Sequence, residues 1–147
     1  MPHILIIDAP YYEHISKELR DGAVAALEAA GATHDRLAVP GVLEIAPALS
    51  MVLEGMEEER AKQYDGFVTL GCVIRGETTH YDIVAFESAR ALMELAVGEC
   101  LALGNGIQTV ENEEQALRRA KASELDKGGH AAKACLDMIA IRQTYLG

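Results

Sequence analysis

The segment Gly71–His80, GCVIRGETTH, combines glycine, hydroxyl side chains and a histidine just before a predicted helix. A loop that carries Gly76, Thr78 and Thr79 into a helix N-terminus presents outward N–H groups and hydroxyl donors. Such a loop suits an anion, although Thr79 could equally serve only as the N-terminal cap. His80 at the helix start could move a proton, because the helix dipole favours neutral imidazole there. The pattern indicates anion binding next to a proton-transfer group.

Two basic residues form a second candidate site. Arg119 and Lys127 flank a predicted loop between two helices, so both could reach one pocket. Arginine makes forked contacts with phosphate, whereas lysine acts as a point charge. The alternative is a pair of exposed side chains at a helix end. Glu44, just after Pro40-Gly41, could likewise accept hydroxyl groups or simply begin a helix.

Several common chemistries have no motif in this sequence. There is no phosphate-binding G-x-x-x-x-G-K-[ST], no G-x-G-x-x-G after the first strand, no G-x-S-x-G and no H-E-x-x-H. The three cysteines include no C-x-x-C pair, so neither a disulfide framework nor a zinc site is indicated. Cys72 lies in an apolar run and is expected to be a packed thiol rather than a nucleophile.

Short apolar runs alternate with helical periodicity along the chain, which predicts a parallel sheet with helices on both faces. The predicted strands are His3–Asp8, Thr33–Val39, Gly66–Val73 and Leu101–Gln108. The predicted helices are Tyr12–Ala30, Leu43–Arg60, Tyr81–Val97, Glu113–Ala122 and Gly129–Ile141. Gly31 can supply the left-handed cap of the first helix. Gly104-Asn105-Gly106 interrupts the fourth strand and predicts either a bulge or a close backbone approach.

Ligands of such sheets bind outside the carboxyl ends of the strands, where the strand order reverses. This rule selects four segments that follow the four strands. They are Ala9–Tyr12, Pro40–Glu44, Ile74–His80 and Gln108–Asn112.

Composition limits the partners of the protein. The 147 residues carry a net charge of −10, which argues against binding to nucleic acid or anionic membranes. No apolar run approaches the roughly 20 residues of a membrane span, and no signal peptide is evident, so we expect one cytoplasmic domain over residues 1–147. Residues 118–133 hold five Lys/Arg against two Asp/Glu, so a small phosphorylated substrate is compatible with the acidic chain.

Four ordered motifs resemble the lumazine synthase family over nearly the whole chain. They are VPGVLEI (Val39–Ile45), LGCVIRGETTHYD (Leu70–Asp82), TVENEEQA (Thr109–Ala116) and DKG (Asp126–Gly128). The resemblance implies a three-layer α/β/α, flavodoxin-like fold with a four-stranded parallel sheet. It also implies a site shared between neighbouring subunits of a pentamer, no cofactor or metal, and riboflavin synthase as a candidate protein partner.

The implied reaction condenses 5-amino-6-(D-ribitylamino)uracil with 3,4-dihydroxy-2-butanone 4-phosphate, releasing phosphate and water. The resemblance assigns proton transfer to His80, phosphate binding to Arg119, and a substrate contact to Lys127 from its own loop in a neighbour's site. It assigns the two substrates to further residues: Tyr11 stacking on the pyrimidine, Val42, Leu43 and Glu44 at the ribityl chain, Cys72, Val73 and Ile74 at the pyrimidine pocket, and the backbone of Glu77 and Thr78 at the phosphate.

The sequence departs from the family pattern at three places. Pro10-Tyr11-Tyr12 replaces the usual Arg-Phe-Asn, and Asn105 stands at the pocket wall where many members have phenylalanine. The chain also begins almost at its first strand, so we expect pentamers or decamers rather than a sixty-subunit shell. Tyr12 and Asn105 keep open an alternative, a flavin-binding, lumazine-binding or assembly-forming homologue with little turnover. A phosphate-dependent signalling module would need more acidic residues than Asp8 after the first strand.

Overall fold

A four-stranded parallel sheet forms the centre of the protein, whose computed structural model describes residues 1–147. The strands are β1 (His3–Asp8), β2 (Thr33–Ala38), β3 (Gly66–Ile74) and β4 (Leu103–Val110), in the spatial order β2-β1-β3-β4. The helices are α1 (Glu13–Ala29), α2 (Ile45–Glu57), α3 (His80–Gly98), α4 (Glu113–Ala120) and α5 (Lys127–Leu146), and a 3-10 turn (Val42–Glu44) precedes α2.

The helices cover both faces of the sheet, because the strands are apolar on both sides. Ile4 and Ile6 of β1 pack with α1, α4 and α5, whereas Leu5 and Ile7 pack with α2 and α3. Each of these four side chains is at most 3% exposed. The alternation of side chains along a strand thus builds two apolar cores, one above and one below the sheet. The predicted three-layer α/β/α, flavodoxin-like fold is confirmed.

Strand β4 runs in unbroken register with β3, from Phe67 opposite Leu103 to Ile74 opposite Val110. The predicted bulge is therefore wrong, and the close backbone approach is confirmed. A Cβ atom on Gly104 would lie 1.8 Å from the carbonyl oxygen of Ala131 in α5. Only glycine lets α5 pack this close to the strand.

The last helix begins earlier than predicted, at Lys127 instead of Gly129. Asp126 caps it from a left-handed conformation (φ 47°), and its carboxylate accepts a hydrogen bond from the Gly129 N–H at 3.1 Å. Gly128 passes close to α1, where a Cβ atom would lie 2.0 Å from the Leu19 carbonyl oxygen. The predicted placement of Lys127 in a loop is wrong, since it is the first residue of α5.

The remaining bounds differ by a few residues. Gly31 has φ 77° just after α1, which confirms the predicted left-handed cap. The predicted helix Leu43–Arg60 instead has a 3-10 first turn and ends at Glu57. The predicted fourth strand is shifted by two residues, since β4 extends to Val110.

Two helices keep apolar side chains exposed. These side chains are Ile83, Phe86, Met93 and Val97 of α3, and Met138, Ile141, Tyr145 and Leu146 of α5. Between α3 and α5 lies an apolar groove of about 560 Å³. No helix is both long enough and apolar enough to cross a bilayer.

Candidate active site

A cleft of about 520 Å³ lies at the carboxyl ends of the strands, where the strand order reverses between β1 and β3. The segments that follow β1, β2 and β3 line it, as the topology rule predicted, whereas the fourth predicted segment, Gln108–Asn112, does not. Its lining residues are Tyr11, Tyr12, Pro40, Gly41, Val42, Leu43, Glu44, Cys72, Val73, Ile74, Gly76, Thr78, His80, Tyr81 and Val84.

Two tyrosines follow β1 on one side of the cleft. Tyr11 is 76% exposed, and its ring meets the ring of Tyr12 edge-on with centroids 4.9 Å apart. Tyr12 is half-buried against the core around α1, and this burial raises the pKa of its phenol. The backbone of this segment begins at Ala9, whose N–H donates to the Leu70 carbonyl at 3.0 Å. The exposed ring of Tyr11 therefore follows a backbone segment that is hydrogen-bonded to β3.

The segment after β2 contributes a carboxylate. The Val39 N–H donates to the Asp8 carbonyl at 2.9 Å, and the Glu44 N–H donates to the Gly41 carbonyl at 3.1 Å. Glu44 is exposed, and Leu43 beside it is 39% exposed. Glu44 directly precedes α2 and also lines the cleft. Its carboxylate makes no ion pair, so it is free to accept hydrogen bonds from hydroxyl groups of a ligand.

The end of β3 provides the apolar floor. Cys72 is 7% exposed and Val73 is 9% exposed. Burial raises the pKa of the Cys72 thiol to about 11. A thiol that stays protonated at neutral pH is a poor nucleophile, which agrees with the prediction of a packed thiol.

The loop Gly76–Thr79, which we call the anion loop, offers free hydrogen-bond donors. No acceptor in the chain receives the backbone N–H of any of its residues. The hydroxyl of Thr78 accepts a hydrogen bond from the His80 N–H at 3.2 Å. Thr79 is the N-terminal cap residue of α3, which was the alternative for this threonine, but its side chain makes no capping hydrogen bond. The loop leads directly into α3, whose N-terminus favours negative charge.

Arg75 and Tyr81 on either side of this loop were not among the predicted site residues. The Arg75 guanidinium lies 4.2 Å above the Tyr81 ring centre, and its Nε is 2.9 Å from the Glu111 carboxylate. Only the register of β3 against β4 brings Arg75 beside Glu111. Ile74 and Val110 are the last paired residues of β3 and β4, so the oppositely charged Arg75 and Glu111 both follow at the same edge.

The cleft contains no lysine or arginine. The predicted cations are elsewhere: Arg119 is half-buried in the last turn of α4, and Lys127 begins α5. No carboxylate lies within 4.0 Å of any lysine or arginine between residues 118 and 133. Glu77 is exposed and does not line the cleft either.

Asn105 also lies outside the cleft, in β4 beside the apolar groove between α3 and α5. Its side-chain amide oxygen, Oδ1, accepts hydrogen bonds from the Thr69 hydroxyl at 2.9 Å and from the Ile107 N–H at 3.1 Å. One chain thus brings together the tyrosines, Glu44, the β3 floor and His80. It does not bring Asn105, Arg119 or Lys127 to them, and their roles at the substrate stay predictions.

A family model and the similar proteins all indicate the same protein family. The model of the 6,7-dimethyl-8-ribityllumazine synthase family matches residues 2–143. 6,7-Dimethyl-8-ribityllumazine synthase 1 of Rhizobium meliloti is 61% identical over 141 residues, which cover 96% of this chain and 92% of the relative. The synthase of Agrobacterium fabrum is 55% identical, covering 99% of this chain and 98% of the relative. The synthase of Bartonella tribocorum is 54% identical, covering 98% of this chain and 92% of the relative. With this similarity and a cleft at the predicted edge of the sheet, the chain belongs to the 6,7-dimethyl-8-ribityllumazine synthase family.

Proposed function

We propose that this chain condenses 5-amino-6-(D-ribitylamino)uracil with 3,4-dihydroxy-2-butanone 4-phosphate to give 6,7-dimethyl-8-ribityllumazine. The observation that carries the proposal is the juxtaposition of His80 with an anion loop whose N–H groups have no acceptor in the chain. A phosphate ester needs both features, since its anion must be bound and the reaction must move protons beside it.

The pyrimidine substrate takes the apolar part of the cleft. Tyr11 stacks on the pyrimidine ring, which its 76% exposure allows. The floor formed by Cys72, Val73 and Ile74 lines the pyrimidine pocket. The ribityl chain lies along the turn of Val42, Leu43 and Glu44, where the Glu44 carboxylate accepts hydrogen bonds from hydroxyl groups.

The phosphate group takes the anion loop. The backbone N–H groups of Glu77 and Thr78 donate to it, so the exposed Glu77 carboxylate need not oppose binding. The cleft itself supplies no positive side chain. Arg119 and Lys127 of a neighbouring copy supply that charge, a role supported by the absence of carboxylate partners around both. Asn105 of the same neighbour lies at the pocket wall.

The chemistry requires repeated proton transfer. The 5-amino group attacks the ketone carbon, and loss of water gives an imine. A proton then leaves the adjacent, hydroxyl-bearing carbon while the C–O bond to phosphate breaks and phosphate departs with the bonding electrons. The resulting enol tautomerises to a ketone, which is the second carbonyl. The ribitylamino nitrogen closes the ring on the second carbonyl, and another water leaves. His80 moves these protons, a contribution of typically ~10²–10⁴-fold. Holding both substrates together in one cleft lowers the barrier further.

A homo-oligomer based on pentamers completes the site. The apolar side chains that α3 and α5 expose, and the groove of about 560 Å³ between them, support burial against further copies. Residues 1–147 act as one domain in this assembly. The protein works in the cytoplasm, where its small substrates arise, and riboflavin synthase is its candidate protein partner.

The test is direct assay of the condensation. Purified protein mixed with both substrates is expected to form lumazine, followed by its absorbance. Arg119→Ala is expected to raise KM for the butanone phosphate, because a forked contact to the phosphate is lost. Arg118→Ala is the matched control, since Arg118 is the neighbouring exposed arginine in the same helical turn.

Two results would contradict this proposal. Equal kinetics of Arg119→Ala and wild type would remove Arg119 from the site. Absence of product together with tight riboflavin binding would favour the alternative, a flavin-binding homologue with little turnover.

A further inference from the structure

The anion loop has almost no support of its own. Its residues Gly76–Thr79 are exposed, and a Cβ atom added at Gly76 would meet nothing within 4 Å. Its residues only accept two hydrogen bonds from α3: the Thr78 hydroxyl accepts from the His80 N–H at 3.2 Å, and the Thr79 carbonyl accepts from the Ile83 N–H at 3.2 Å. A loop that must present several N–H groups to one ligand needs to be fixed from its ends.

Arg75 fixes the first end through its backbone. Its N–H donates to the Val110 carbonyl at 2.9 Å, which continues the pairing of β3 with β4 by one residue. The loop therefore leaves the sheet from a residue that is tied to the neighbouring strand.

The Arg75 side chain then crosses to the other end of the loop. Its guanidinium lies 4.2 Å above the ring centre of Tyr81, in the first turn of α3. Its Nη1 is 3.8 Å from the carboxylate of Asp82, and its Nε is 2.9 Å from that of Glu111. We call these four residues the Arg75 clamp. They connect the end of β3, the start of α3 and the end of β4.

The clamp acts by geometry more than by charge. The side chains of Arg75, Asp82 and Glu111 are 43%, 45% and 57% exposed, so water screens their attraction. A guanidinium is nevertheless planar, and it can stack on a ring while its edge donates to a carboxylate. Lysine keeps the positive charge, but its ammonium group is neither planar nor able to donate two parallel hydrogen bonds.

We propose that Arg75 is a positioning residue, which holds the anion loop and His80 in the arrangement that the phosphate ester requires. This inference rests on the proposed function. Arg75 itself does not contact the substrate, because its guanidinium is engaged with Tyr81 and Glu111 and does not line the cleft.

The test compares Arg75→Ala, Arg75→Lys and Glu111→Gln in the full-length oligomer. We expect Arg75→Ala to raise KM for the butanone phosphate by about 10- to 100-fold, the range that a displaced binding group produces. KM for the ribitylaminouracil should stay near the wild-type value. Arg75→Lys should behave like Arg75→Ala, because charge without a planar fork does not rebuild the clamp.

Glu111→Gln separates positioning from direct binding. If Arg75 positions the loop, loss of its partner carboxylate raises the same KM, although less than Arg75→Ala does. If Arg75 instead binds the phosphate, Glu111→Gln frees the guanidinium and removes a nearby negative charge, so KM falls or stays unchanged. That second result, or full rescue by Arg75→Lys, would overturn the proposal.

Arg90→Ala is the matched control, since Arg90 also pairs with two carboxylates, Glu87 and Glu94, but lies in the middle of α3. It should leave both KM values unchanged. Binding of inorganic phosphate, measured by calorimetry on the same variants, separates this inference from the proposed function. Wild type that forms lumazine, together with clamp variants of unchanged phosphate affinity and KM, would overturn the inference alone. Wild type that neither forms lumazine nor binds phosphate would overturn both.

Discussion

Cys72 and His80 line the same cleft in opposite environments. Cys72 is 7% exposed, and burial raises the pKa of its thiol to about 11, whereas His80 is exposed at the start of α3. A buried thiol that keeps its proton contributes packing, while an exposed imidazole can exchange protons with a substrate. The roles proposed for the two residues are consistent with their burial.

Cys72→Ala tests this division. We expect its kcat to fall by less than about tenfold, well below the ~10²–10⁴-fold contribution of a general acid or base. Steady-state lumazine formation measures the effect, and near-ultraviolet circular dichroism verifies the fold. A folded Cys72→Ala protein that has lost more than a hundredfold in kcat would assign a chemical step to the thiol.

At the scale of elements, a buried ion cluster joins β1, β2 and α1 beneath the cleft. Asp8 is 0% exposed and accepts hydrogen bonds from Arg36 at 2.8 and 3.0 Å, from Arg20 at 2.9 Å and from Ser16 at 3.1 Å. Asp8 ends β1, directly before the segment that carries Tyr11. The cluster therefore sets where that segment leaves the sheet.

Asp8→Ala should lower the free energy of unfolding by about 3 kcal/mol, the lower end for a broken buried pair. The side chain of Arg36 is 44% exposed and recovers part of its hydration, which limits the loss. Urea denaturation measures the change. Lys17→Ala, which breaks an exposed pair with Asp21, should cost less than about 1 kcal/mol. Equal costs for the two variants would contradict a structural role for Asp8.

In the same edge strand as Arg36, Asp35 connects β2 to the segment before β3. Hydrogen bonds from Tyr64 at 2.8 Å, Lys62 at 3.1 Å and His3 at 3.2 Å lower the pKa of Asp35 from 3.8 to about 2. A carboxyl group whose pKa is lower in the folded chain stabilises the fold above its unfolded pKa. This contribution is present above pH 4 and is lost as the pH falls from about 4 to about 2.

Urea denaturation of wild type and Asp35→Asn between pH 5 and pH 2 measures this contribution. The variant should lack part of the acid-induced loss of stability that wild type shows in that interval. Glu58→Gln is the control, because Glu58 is exposed and contacts only Arg60, at 3.5 Å. Parallel stability curves for wild type and Asp35→Asn would contradict the hydrogen-bonded cluster.

The sequence predicted these elements to different degrees. The continuous apolar run of β1 and the helical period of α1 predicted both elements to within a residue. The glycines of β4 left two alternatives, a bulge or a close backbone approach, because Gly104 resembles a break although it lies inside the strand. The cause is a contact between distant segments, Gly104 with Ala131, and local periodicity carries no information about such contacts.

The part of the site that is formed by segments following the strands of one chain was predictable from the sequence. The topology rule selects the segments of Tyr11, Glu44 and His80, and all three residues line the cleft. The Arg75 clamp was missed, because it needs the register of β3 against β4, which places Arg75 beside Glu111. Register between strands that are distant in sequence follows from packing and not from either segment alone.

For the whole molecule, charge and apolar surface are divided between different regions. The cleft holds no lysine or arginine, while the cations of residues 118–133 have no carboxylate partner. Apolar side chains of α3 and α5 lie exposed outside the cleft. A substrate with a phosphate group needs the cleft and the cations together, which neighbouring copies in a ring of identical interfaces can provide.

Mixing of two impaired variants, assayed at low butanone phosphate, tests this shared site most directly. His80→Ala and Arg119→Ala chains are coexpressed in equal amounts, so that they assemble into mixed oligomers. If His80 of one copy works with Arg119 of the next, about a quarter of the interfaces in a random ring contain both intact residues. Lumazine formation should then recover to about a quarter of the wild-type rate. A mixture no more active than the mean of the two variants would contradict the shared site.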